Sequence, residues 1–119
     1  MKQFRYMICL LVTVIACDDI IEVEDISSKT VTILAPTNNA ILDTLTTTFT
    51  WEALEGAESY YLYVATPNFE NATQIVIDTL LVKTNYSKLL PINSYEWRIR
   101  AENSAYKTNY TQQSFAIEE

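Results

Sequence analysis

Hydrophobic and polar residues alternate along most of the chain beyond residue 30. In the longest such run Tyr95, Trp97, Ile99 and Ala101 fall on one side of an extended chain, and Glu96, Arg98, Arg100 and Glu102 on the other. This predicts a strand with one face in a core and the other in water. Thr44–Trp51 repeats the pattern, with Leu45, Thr47, Phe49 and Trp51 opposed to Thr44, Thr46, Thr48 and Thr50. Residues of this kind suit a pleated, half-buried surface. Ser59–Thr66 places Tyr60, Leu62 and Val64 inward and Tyr61, Tyr63 and Ala65 outward. Further β-type runs occupy Val31–Leu34, Gln74–Leu81, Thr84–Ser87 and Gln113–Ile117. No convincing helical period appears beyond Thr30. The expectation is an all-β, seven-stranded antiparallel sandwich filling residues 31–119 as one domain.

The breaks between runs carry turn chemistry. Ala35-Pro36 leads into Thr37-Asn38-Asn39, Pro67-Asn68 ends the Tyr-rich run, and Leu89-x-Pro91-x-Asn93 precedes Tyr95. Gly56 is the only glycine, so asparagine must supply most of the left-handed conformations that turns require. Phe69 is expected to tuck back under its own loop.

Together these residues carry a family resemblance. Phe49-x-Trp51, Gly56-Ala57-x-x-Tyr60-x-Leu62-x-Val64, Leu89-x-Pro91-x-Asn93-x-Tyr95-x-Trp97-x-Ile99-x-Ala101 and a closing Phe115 resemble a fibronectin type III domain of the bacterial kind. The likeness covers about residues 31–117 and implies a fibronectin type III or immunoglobulin-like sandwich. It makes Trp51 the core tryptophan of the second strand and Tyr60 the start of the third strand's inward row. It also pairs Leu89 with Tyr95 in a tyrosine corner, where the phenol bonds back to main chain and the ring enters the core. Trp97 and Ile99 complete the expected structural core. Glycines usual in the family near Asn38–Asn39 and at 103–107 are missing here.

The first 17 residues read as an address. Lys2 and Arg5 precede an apolar run from Tyr6 to Ala16, too short for the roughly 20 residues of a spanning helix and suited to a secretory signal. Val14-Ile15-Ala16-Cys17 resembles the lipobox of bacterial lipoproteins. That resemblance implies a signal peptide at 1–16, a diacylglycerol on Cys17 and a lipidated, acidic tether over 17–30. Asp18, Asp19, Glu22, Glu24 and Asp25 cluster behind the cysteine. They resemble the export signal of Bacteroidetes surface lipoproteins, which implies an outer-membrane protein exposed at the cell surface, although Asp18 directly after the cysteine also resembles an enterobacterial inner-membrane retention signal.

Charge and residue inventory narrow the chemistry. Fifteen acids against eight bases give a net charge of −7, and no Lys/Arg stripe is present, which argues against nucleic acid as a partner. There is no histidine, and the two cysteines, Cys9 and Cys17, lie in the address segment. A disulfide framework is thereby excluded. The usual general base and the commonest metal ligand are both missing, so neither catalytic residues nor a metal site are expected. The sole expected attachment is the covalent lipid on Cys17, with no other cofactor, and the membrane is a partner through it.

The expected function is a non-enzymatic protein-binding or adhesion module. Its candidate surface is Tyr61 and Tyr63 beside Arg98 and Arg100 on neighbouring strands, residue types enriched at binding hot spots. Tyr106, Lys107 and Tyr110 could extend it. The alternative is a carbohydrate-binding accessory of a glycan-uptake system that stacks sugars on Tyr61 and Tyr63.

Overall fold

The computed structural model describes residues 22–119. The expected signal peptide and Cys17 lie outside the described residues. Eight strands follow one another: β1 (Ile33–Ala35), β2 (Ala40–Leu42), β3 (Thr46–Trp51), β4 (Ser59–Thr66), β5 (Gln74–Leu81), β6 (Asn85–Leu89), β7 (Asn93–Glu102) and β8 (Thr111–Ile117). They form a three-stranded sheet ordered β1-β3-β6 and a five-stranded sheet ordered β2-β8-β7-β4-β5. The all-β sandwich read from the sequence is therefore present, with one strand more than expected. The added strand, β2, runs parallel to β8, pairing Ala40 with Phe115 and Leu42 with Ile117. All other named pairings are antiparallel.

Alternation becomes packing in the space between the sheets. Thr47, Phe49 and Trp51 of β3 point inward, as do Tyr60, Leu62 and Val64 of β4 and Tyr95, Trp97, Ile99 and Ala101 of β7, all of them buried. Phe49 crosses the gap and meets Trp97 edge to face, with centroids 5.0 Å apart, and Phe115 at 5.8 Å. Tyr95 stacks on Phe115 at 5.2 Å, and Trp51 lies 5.8 Å from Tyr60 at the other end. The Tyr95 hydroxyl donates to the Pro91 carbonyl oxygen at 2.6 Å, the corner bond expected of it, and burial raises its pKa. The Tyr60 hydroxyl accepts from the Leu54 amide at 2.9 Å, holding the loop between β3 and β4.

Leu89 departs from expectation. It is 68% exposed, whereas Leu90 is 1% exposed and sits in the core. The cause is register: β6 pairs Tyr86 with Phe49, Ser87 with Thr48 and Leu89 with Thr46. Directly opposed residues share a face, so Tyr86 and Leu90 turn inward with Phe49, and Ser87 and Leu89 turn outward. Ala65 is a second departure, fully buried although alternation would turn it outward. It lies where the β4–β5 register shifts.

Two poles follow from the topology. At one end of β7, Asn93 pairs with Ile117, so the C-terminus lies there. At the other, Glu102 pairs with Ser59. The chain enters at this second pole, because Ile33 pairs with Trp51 and the preceding residues run beside the loop around Gly56. They are bound there rather than loose, which shortens the tether expected over 17–30. Ile26 is fully buried and Val31 nearly so. Asn103 clamps the segment: its amide donates to the carbonyls of Glu24 and Gly56, both at 2.9 Å. Its side-chain oxygen accepts from the amides of Ala105 and Tyr106. Gly56 has φ +91°, and a Cβ there would stand 2.8 Å from Glu24 Oε1 and 2.9 Å from Ile26 Cγ2. Asn39, with φ 65°, takes the left-handed turn position for which the chain has no glycine.

The register makes an uneven prediction for two adjacent leucines. Leu90→Ala should cost about 2–5 kcal/mol in denaturant unfolding, whereas Leu89→Ala should fall within about 0.5 kcal/mol of the parent. Equal costs would contradict the β3–β6 register.

Candidate binding face

The outward face of the larger sheet gathers the four residues expected to form a binding surface. Antiparallel pairing of β4 with β7 sets Tyr61 opposite Arg100 and Tyr63 opposite Arg98. The Arg98 guanidinium lies 3.7 Å from the Phe69 ring centroid and 5.4 Å from that of Tyr110. Arg100 lies 4.7 Å from Tyr110 and 5.9 Å from Tyr61. Tyr63 packs on Phe69 at 5.4 Å, and Tyr61 meets Tyr63 edge to face at 6.1 Å and 85°. The result is one continuous layer of rings and guanidinia. Exposed contacts of this kind contribute roughly 0.5–1 kcal/mol each, which biases these side chains toward one arrangement.

The carboxylates around the layer are largely committed. Glu102 accepts from Arg100 Nε at 3.0 Å. Glu96 accepts from the Phe69 amide through one oxygen and from Gln112 Nε2 through the other, each at 2.9 Å. Arg98 has no carboxylate partner among the described residues, and its Nε is buried without a hydrogen bond. Beside it opens a hollow of about 460 Å³ lined by Asn68, Phe69, Glu70, Glu96, Arg98 and Gln112. The Tyr61 hydroxyl donates to Asp78 of β5. That bond, first, and then partial desolvation and the Asp78 charge push the Tyr61 phenol up to about 12.

Two participants escaped sequence reasoning. Phe69, expected under its own loop, instead lies on the sheet, because the Glu96 carboxylate holds its amide. Asp78 gives no signal in a β-branched run, since its partner, Tyr61, lies across a strand pair. Of the loop residues considered as an extension, Tyr110 joins the layer, while Tyr106 packs against the core. Among the described residues no group of three or more His, Cys, Asp or Glu could hold a metal ion. No helix of the described residues is long and apolar enough to cross a membrane.

Known proteins resemble this chain in shape. No protein-family model matches the sequence, and a search of the curated proteins finds no match. Among solved structures, an Fn3-like protein from Clostridium thermocellum is similar at a TM-score of 0.54 and 19% identity, covering 78% of this chain and 96% of its own. The fibronectin(III)-like modules of CbhA from the same organism give 0.54 and 11%, covering 74% and 95%. A human fibronectin type III domain derived from the KIAA0970 protein gives 0.50 and 13%, covering 74% and 70%. At these identities the likeness speaks for the fold: the chain is built as a fibronectin type III-like β-sandwich.

The Tyr61–Asp78 bond can be read by titration. A phenol whose folded pKa lies above its ordinary value favours the protonated, folded form. The stabilisation is complete below about pH 10 and lost as pH rises through the folded value. In a phenolate absorbance titration, Asp78→Ala should return one tyrosine from about 12 toward the ordinary range. An unchanged curve would mean that Tyr61 does not depend on Asp78.

Proposed function

We propose that this protein is a membrane-anchored lipoprotein of the bacterial cell surface that works as a non-enzymatic protein-binding or adhesion module, through the outer face of its larger sheet. One observation carries the reading: the layer built from Tyr61, Tyr63, Phe69, Arg98, Arg100 and Tyr110. Tyr and Arg are the residues that dominate protein interfaces when their positions are set beforehand. The sandwich supplies a rigid frame of the kind used by binding and linker modules.

Ring geometry favours a protein over a sugar. Tyr61 and Tyr63 stand nearly perpendicular, so they offer no flat platform for a pyranose, and Arg98 and Phe69 crowd the neighbouring ring faces. An irregular surface with a half-buried guanidinium suits an interdigitating protein partner better.

The anchor reading rests on the lipobox-like end at Cys17. With Ile26 held in the core, the seven steps from Cys17 to Glu24 extend at most about 3.6 Å each, a reach of roughly 25 Å. The entry pole then faces the membrane, and the pole carrying Asn68 and the C-terminus faces outward.

The reading is tested on intact cells. Cys17→Ser should release the protein from membranes, and unchanged fractionation would overturn the anchor. A photo-crosslinking group at Gln112, beside the layer, should capture a protein from the cell surface. Tyr63→Ala with Arg98→Ala should abolish that capture, each change weakening binding by roughly 2 kcal/mol, about thirtyfold. Capture that survives both changes would remove this face from the function.

A further inference from the structure

The sandwich has four sheet edges, and three are blunted. Strands β1 and β2 are three residues long. β6 spans five residues, carries the exposed Lys88 and stops just before Pro91. Short edges, lysine and proline are the usual devices that discourage strand pairing. The fourth edge, β5, has none of them. It is eight residues long, with Asp78 its only charge, and among the described residues it pairs with β4 alone. Its register is irregular near Ile75, opposite Ala65, so the regular stretch is Ile77–Leu81. Leu80, on the outward face of that stretch, is 54% exposed.

We propose that Ile77–Leu81 pairs antiparallel with the same stretch of a second copy of this chain, on a two-fold axis at Thr79. Two five-stranded sheets would thereby join into one of ten. The stretch is self-complementary in that register: Ile77 meets Leu81 of the second copy, Thr79 meets Thr79, and Asp78 meets Leu80. An axis at Asp78 would set two carboxylates face to face. An axis at Leu80 would need Val82, which lies past the end of β5 in a bend. Charge does not oppose a second copy at this place. Chains of net charge −7 repel, but along β5 only Asp78 is charged, and it already accepts from Tyr61. Closed two-fold pairing is the commonest form of self-association, and a strand added at an open edge gains main-chain hydrogen bonds along its length.

The interface is small. Five residues span about 17 Å, and the contact falls well below the roughly 800 Å² per partner of a standard interface. The dimer is therefore weak and rapidly exchanging, and covalent trapping suits it. If the proposed binding role also holds, pairing places two ring-and-guanidinium layers side by side on one sheet, giving a divalent surface.

The 119-residue chain carries cysteine only at positions 9 and 17. With both changed to Ser and the protein held in non-ionic detergent, Thr79→Cys should form a disulfide-linked dimer under mild oxidation. It should do so several-fold faster than Ser87→Cys on β6, which reports random collision. Adding Leu80→Glu, which sets a carboxylate against Asp78 of the second copy, should slow trapping. Adding Leu80→Lys should preserve it. Equal rates for Thr79→Cys and Ser87→Cys, or trapping indifferent to Leu80→Glu, would overturn the proposal. A readout without new cysteines guards against a folding defect in Thr79→Cys: sedimentation equilibrium should show mass rising with concentration for the parent but not for Leu80→Glu. A constant monomer mass for the parent would also overturn it.

Discussion

The fold depends on a contact across the gap between its sheets, where Phe49 of β3 meets Trp97 of β7 and Phe115 of β8. A small domain of this size removes only about 60–65% of its unfolded surface from water, so a few large rings must supply much of the burial. Aromatic pairs in edge-to-face geometry add about 0.5–1.5 kcal/mol beyond the area they hide. Phe49 makes two such contacts and belongs to the smaller sheet, whereas its partners belong to the larger one. Among the described residues the other aromatic pair that joins the two sheets is Trp51 with Tyr60.

That contact also fixes what the outer surface can be. With Trp97 inward, the period of two turns Arg98 and Arg100 outward on β7. The β4 register then brings Tyr63 and Tyr61 opposite them. The proposed binding face is thus the reverse side of the core, and each inward ring holds an outward neighbour in place. The entry segment adds a second constraint. Asn103 ties Glu24 and Gly56 together, so residues from Glu24 onward are held at one pole, beside the loop around Gly56.

Long, cleanly alternating strands were legible from the residues alone. In β3, β4 and β7 the period of two assigned Phe49, Trp51, Tyr60, Tyr95, Trp97 and Ile99 to the core, where they are buried. What escaped was decided between distant segments. Leu89 and Leu90 are adjacent and equally apolar, and only the pairing of Tyr86 with Phe49 chooses between them. Three residues of β2 are too few to show a period. Ile26 was hidden among Glu24, Asp25 and the acids before them, which read as a solvated tether. On the face itself, Tyr61, Tyr63, Arg98 and Arg100 could be grouped because they share strand parity. Phe69 could not, since a hydrogen bond to Glu96 places it.

The central claim is a division of labour by parity, in which inward rings hold the sandwich and outward ones leave it nearly unaffected. Denaturant unfolding of four single alanine variants tests it most directly. Phe49→Ala and Trp97→Ala should each cost about 3–5 kcal/mol, and Tyr63→Ala and Arg98→Ala about 1 kcal/mol or less. Outward variants as costly as the inward pair would contradict the account, because the proposed binding face would then be part of what holds the fold together.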